Sequence, residues 1–274
     1  MTALADPASA DAATAADPLV ALSDVALRYE AEGAAEGTLA VRGLSMAVAE
    51  GEFVAVVGPS GCGKSSLMKL VTGLAFPTEG EVRVEGRPVR GPVSIAGMAF
   101  QNPVMLPWRL TRDNVALPLE IVRGRREGRA ARRARADRLL ASVGLEGAGA
   151  KYPWQLSGGM QQRASLCRAL IHEPRLLMLD EPFGALDAFT REELWQVIRD
   201  LHARRGFTTV LVTHDLREAV FLADRVLVMS ARPGRIVAER RVPLARPRDI
   251  EVQYEDAFVD IVHELRAHIA EARG

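Results

Sequence analysis

The chain has 274 residues, a formal net charge of zero and 48% hydrophobic residues, enough length for one large domain or two small ones with a substantial core. The balanced charge gives no global field to draw nucleic acid, and two cysteines (Cys62 and Cys167) form no disulfide framework. No apolar run approaches the ~20 residues that cross a bilayer, so a membrane role is expected to come through a partner.

The first 17 residues, rich in Ala and Asp, lack a basic start and a continuous apolar segment; they read as a disordered tail, not a signal peptide. Leu19 to Tyr29 and Leu39 to Ala49 read as strands joined by the small-residue loop AEGAAEG. Tyr29 at the strand end is either an ordinary strand residue or a ring that stacks on a flat base. Phe53 to Val57 is a short, β-branched apolar run and reads as a buried strand. Directly after it, Gly58 to Ser65 fits G-x-x-x-x-G-K-[ST], and Leu67, Leu70, Val71 and Leu74 then recur at helical spacing until Pro77. Glu81 to Glu85 and Ile95 to Phe100 are strand-like and bracket a Gly/Pro-rich turn. The segment PVMLPWRLTRDNVALPLEI follows, with prolines around Met105-Leu106-Pro107-Trp108 that suggest a loop made to be touched.

Residues 111 to 145 are helical in pattern, and Arg123 to Arg138 holds eight arginines against two acids. That bias reads as a solvated face, with a docking or lipid-headgroup surface as the alternative. Leu156 to Gly159 then breaks the chain, and Met160 to His172 reads as a helix ended by Pro174. Leu176 to Leu179 is a fully apolar strand that delivers Asp180 and Glu181 at its C-terminal end. Leu194, Val197, Ile198 and Leu201 mark an amphipathic helix, and Thr208 to Thr213 a buried strand ending at His214-Asp215. Arg225 to Met229 and Arg235 to Val242 resemble a hairpin around Arg232-Pro233-Gly234. Phe258, Ile261, Val262 and Leu265 give the tail a helical stripe. Strands alternating with helices predict an α/β core with a mostly parallel sheet, and the long helical stretch predicts an inserted helical subdomain.

Strand, glycine loop and helix together form the context a phosphate-binding loop needs. Its glycines let successive backbone N–H groups turn toward phosphate oxygens, and the helix N-terminus adds its partial positive charge. Lys64 reaches the β- and γ-phosphates, and the Ser65 hydroxyl is offered to Mg²⁺. The expected nucleotide contacts of this stretch are Gly58, Pro59, Ser60, Gly61, Cys62, Gly63, Lys64, Ser65 and Ser66, with Cys62 a small filler. In LSGGMQQR, a serine and two glycines opening a helix make a second anion site by the same physics. One chain rarely needs two such sites facing one nucleotide. Two chains head to tail place the first loop of one opposite the second of the other.

LSGGMQQR resembles the signature motif of ATP-binding cassette ATPases, and the resemblance runs from about Leu19 to Val237 with every motif in the family's order. It implies a P-loop NTPase (RecA-like) core with an antiparallel β subdomain over residues 18–100 and 168–245. The helical subdomain is then 101–167 and a C-terminal helical extension 246–274. By resemblance, Tyr29 stacks on adenine, and Gln101 ligates Mg²⁺ or the attacking water. Ser157, Gly158 and Gly159 hold the γ-phosphate bound to the opposite subunit, and Asp180 orders the Mg²⁺ shell. Glu181 is the general base, Asp187 crosses the dimer seam, and His214 bonds the γ-phosphate and keeps Glu181 and water in line. The expected catalytic set is Glu181, His214, Lys64 and Gln101, and the expected Mg²⁺ set is Ser65, Gln101 and Asp180.

FQNPVMLPWRLTRDNV, EPFGALDAFTR and SARPGRIVAE resemble the nitrate/sulfonate/taurine importer group, with Met105 standing where that group usually has leucine. The implied function is an ATP-hydrolysing importer subunit, peripheral on the cytoplasmic face of the cell membrane. Its implied partners are a second cassette (as a homodimer), permease subunits touched by Pro107 and Trp108, and indirectly an extracytoplasmic solute-binding protein, with no nucleic acid. The competing readings are a soluble cassette ATPase uncoupled from transport and the cassette of a lipid-trafficking system.

Overall fold

The computed structural model describes residues 17–30, 37–122, 127–184 and 186–272. The tail, most of AEGAAEG and the opening arginines of the basic stretch lie outside these residues.

In chain order, β1 (Val20–Tyr29) and β2 (Thr38–Val48) lead to β3 (Phe53–Val57) and α1 (Lys64–Thr72). Next come β4 (Glu79–Val84), β5 (Arg87–Pro88) and β6 (Ala96–Ala99). A helical region follows: α2 (Thr111–Val115), α3 (Pro118–Ile121), α4 (Arg129–Ala141) and α5 (Gly158–Leu170). The remainder alternates as β7 (Leu176–Asp180), α6 (Ala188–Arg205), β8 (Thr208–Thr213), α7 (Leu216–Leu222), β9 (Arg225–Met229), β10 (Ile236–Arg241) and α8 (Asp256–Glu271).

Two sheets result. The larger has the order β10-β9-β3-β8-β7-β6, parallel throughout except for the antiparallel edge strand β10. The smaller, β2-β1-β4-β5, is antiparallel. This is the α/β arrangement with an added antiparallel sheet that the sequence predicts. Every residue of β3 and β8 is buried because both faces of the parallel sheet are covered. Phe53, Ala55 and Val57 face a core shared with α4 to α8, while Val54 and Val56 face α1 and the antiparallel sheet. One strand therefore feeds two cores, and its apolar run cannot alternate.

The helical stretch departs from expectation. It is three short helices rather than one continuous pattern, since Pro118 cannot continue the helix that ends at Val115 and instead starts α3. The helix expected from Met160 begins at Gly158 instead, because Ser157 Oγ accepts the Met160 N–H as its N-cap. No described helix is long and apolar enough to cross a membrane.

Candidate active site

The parallel sheet puts the chemistry at one edge. Val57 pairs with Thr213 and Asp180 with Val212, so the loops leaving β3, β7 and β8 emerge side by side at the carboxyl ends of their strands. The pairing of Ala99 with Leu179 brings the segment after β6, including Gln101, to the same edge.

The loop between β3 and α1 requires its glycines. Gly63 sits at φ 103°, and a Cβ there would lie 2.7 Å from Val41 Cγ1 and 2.9 Å from the Ala40 carbonyl. The first turn of α1 has neither a side-chain cap nor an acidic residue, so its N–H donors and partial positive charge are left for another acceptor. Lys64 is buried, and its Nζ donates to the carbonyls of Gly58 and Pro59 at 2.9 Å each. Cys62 is buried as a filler, its sulfur 3.1 Å from where a Gly58 Cβ would stand. Tyr29 donates its hydroxyl to Ser66 Oγ at 3.3 Å, and Lys69 Nζ lies 5.6 Å from its ring centre. The half-exposed ring is thus fixed beside the start of α1.

Across the edge, Asp180 lies close to Ser65. Burial, and then the charge of Glu181, push the Asp180 carboxyl above the usual range, against the pull of Ser65, Lys64 and Lys69. Glu181 donates its N–H to the Val212 carbonyl at 2.8 Å and sits at φ 44°, a left-handed backbone that glutamate rarely adopts. His214 Nδ1 lies 3.1 Å from Glu181 Oε2. Gly184 fits between neighbours: a Cβ there would be 3.5 Å from Gln101 Nε2 and 3.8 Å from His214 Cε1. Glu181, His214 and Gln101 therefore converge around one turn.

A second cluster forms at two helix N-termini. Ser157 caps α5, and Asp187 caps α6 by accepting the Thr190 N–H at 3.1 Å. That N–H, with further local donors, holds the Asp187 carboxyl below its usual range. The Thr190 methyl lies 2.8 Å from where a Gly159 Cβ would be, so the two capped helix ends abut. Among the described residues, no hydrogen bond or ion pair joins Ser157, Gly158, Gly159 or Asp187 to the phosphate loop. The geometry thus gathers the expected residues into two groups rather than one.

Three contacts escape a reading of the sequence. Buried Gln162, within LSGGMQQR, donates to the Phe100 carbonyl at 3.1 Å and ties α5 to the segment that carries Gln101. Arg232 Nε donates to the Gly61 carbonyl at 3.3 Å. Arg191 bridges two turns of the site. Only their nearness to a motif in the sequence could have drawn notice.

Residues 41–184 match the profile of the ABC transporter family. Among similar proteins, the taurine import ATP-binding protein TauB of Chromobacterium violaceum is 46% identical over 207 residues, covering 76% of this chain and 78% of its own. An aliphatic sulfonates import ATP-binding protein SsuB of Agrobacterium fabrum is 42% identical over 238 residues, covering 87% of this chain and 86% of its own. The fold is similar to that of a dimeric ATP-binding cassette in a post-hydrolysis state bound to ADP and Pi. That match has a TM-score of 0.74 and 32% identity, and it covers 82% of this chain and 100% of the other.

Proposed function

The chain belongs to the ABC transporter family and is an ATPase of it. From that premise we propose that it energises import of a small anion, a sulfonate such as taurine or a related anion such as nitrate, through a separate permease. The observation that carries the reading is the 3.1 Å contact between Glu181 and His214 at the sheet edge shared with the phosphate loop. It sets a carboxylate base and an imidazole side by side where a γ-phosphate held by that loop would end. The names of the taurine and sulfonate relatives support the choice of cargo.

The donor set fits Mg²⁺, a hard cation that prefers oxygen ligands and is commonly held by one or two carboxylates together with substrate phosphates. The Ser65 hydroxyl, the Asp180 carboxylate and the Gln101 amide oxygen would hold it. When bound it neutralises charge on the β- and γ-phosphate oxygens. The burial that raises Asp180 is then offset by the cation, which favours the ionised carboxylate.

Lys64 and the loop N–H groups bind the phosphates, and Tyr29 faces the base. Glu181 orients the attacking water and takes its proton at a carboxylate oxygen, while His214 fixes that carboxylate through Nδ1. Ser157, Gly158 and Gly159 complete the donor cage from a second copy of the chain, with Asp187 at the seam. That no hydrogen bond or ion pair among the described residues joins those residues to the phosphate loop favours this division. The working units are the core and β regions (18–100 and 168–245), the helical region (101–167) and the extension (246–274).

Trp108, 72% exposed, lines a surface pocket with Arg109, Asp113, Glu120, Arg133 and Tyr152. This face receives the permease on the cytoplasmic side of the membrane, and the permease in turn meets an extracytoplasmic binding protein. In a strain lacking the gene, the wild-type chain restores growth on taurine, an alkanesulfonate or nitrate as sole sulfur or nitrogen source, and Glu181→Gln does not. Restoration by Glu181→Gln, or growth on all these anions without the gene, would contradict the proposal.

A further inference from the structure

Arg191 lies on the first turn of α6, one helical turn past Asp187. Its guanidinium is divided between two places. Nη1 pairs with Asp215 Oδ2 at 3.0 Å, and Nη2 donates to the Leu186 carbonyl at 3.1 Å. Leu186 precedes Asp187, and Asp215 follows His214. One planar side chain therefore spans the turn assigned to the dimer seam and the turn that carries the histidine.

The far ends of both contacts are themselves fixed. Asp215 is the N-cap of α7, its Oδ1 accepting the N–H groups of Arg217 and Glu218 while Oδ2 takes Arg191. The Arg191 backbone N–H donates to the Asp187 carbonyl at 3.0 Å. Movement of the Leu186-Asp187 turn is thus transmitted to the start of α7, and His214 sits immediately before that start. A lysine does not reproduce this paired geometry, since its ammonium lacks the planar fork of a guanidinium. A further carboxyl adjoins the tie: Arg191 Nε and Glu218 Oε1 are both enclosed and have no hydrogen-bond partner among the described residues.

We propose that Arg191 is a positioning residue that couples the Leu186-Asp187 turn to His214, so that contact at the dimer seam sets the alignment of the histidine with Glu181. The proposal rests on the reading that Asp187 faces a second cassette and that His214 aligns Glu181.

The test is steady-state ATP hydrolysis by the full-length protein with Mg²⁺, comparing Arg191→Met, Arg191→Lys, Asp215→Asn and the Arg191→Met/Asp215→Asn pair. Asparagine still caps a helix, so Asp215→Asn removes the charge and keeps the cap. Arg191→Met is expected to lower kcat about tenfold or more at nearly unchanged KM, because misalignment affects the transition state and not ATP binding. Arg191→Lys does not restore kcat, and the double variant is no slower than the slower single one. A loss confined to KM, wild-type kcat in Arg191→Met, or multiplying losses in the double variant would overturn the tie. The ATP-dependent dimer of Glu181→Gln serves as the control. If it forms while Arg191→Met hydrolyses normally, the tie alone is wrong; if it does not form, the dimer reading and this proposal fail together.

Discussion

Glu181 is the residue at which the backbone departs most informatively from what its side chain prefers. A non-glycine residue held at positive φ costs of order 1–3 kcal/mol and persists only where its surroundings over-determine it. Here the surroundings are the Val212 carbonyl on one side and His214 on the other. Glu218 shows a different expense. It is 2% exposed on α7, and burial, then the charge of Asp215, push its carboxyl well above the usual range against Thr213 and Arg191; Glu181 raises it further. The folded protein thus keeps a proton there that the unfolded chain releases above the ordinary glutamate value. Stability accordingly falls as pH rises through the window from that value to the raised one, at up to about 1.4 kcal/mol per pH unit. Glu218→Gln, neutral at every pH, flattens this slope in denaturant unfolding between pH 5 and 8. An unchanged slope would place the buried proton elsewhere.

Among the elements, α7 has seven residues, too few to be stable alone, and it is clamped at both ends. Asp215 caps its start. At its finish, Arg248 of the C-terminal extension donates Nη1 to the carbonyls of Val220, Phe221 and Ala223, and Nη2 to those of Val242 and Leu244. Arg246 adds a bond to the Leu222 carbonyl and an ion pair with Asp224. Burial, and then the charge of Arg246, lower Arg248 to about 10 against the pull of Asp224, yet its hydrogen bonds answer helix-end carbonyls that would otherwise be orphaned. Arg248→Met is expected to cost about 3 kcal/mol by denaturant unfolding. A loss of about 0.5 kcal/mol, the scale of an ordinary surface change, would show that the clamp carries no weight.

The same elements show what the sequence could disclose. β3, β7 and β8 were legible because strands covered on both faces are largely apolar or β-branched, and the phosphate loop because its glycines are forced by close backbone approach. The break between α2 and α3 was legible in Pro118 but outweighed by the helical pattern of the whole stretch. Arg248 and Arg191 were hidden. Their ties to α7 run to backbone carbonyls or a carboxylate 24 to 28 residues away, which only the return of the chain brings near.

At the scale of the whole molecule, the candidate site is divided. The phosphate loop, Asp180, Glu181, His214 and Gln101 gather at one edge of the parallel sheet, while the capped ends of α5 and α6 abut each other and, among the described residues, make no hydrogen bond or ion pair to the phosphate loop. In the proposed function, a head-to-tail pair of chains joins the two groups around one nucleotide. The dimeric neighbour with ADP and Pi has the same fold over most of this chain. The most direct measurement is the mass of Glu181→Gln by sedimentation, with and without ATP and Mg²⁺. A shift from monomer to dimer on adding ATP, abolished when Ser157, Gly158 and Gly159 are replaced, is the predicted result. A variant that stays monomeric at saturating ATP, or still dimerises with that turn replaced, would contradict the shared cage.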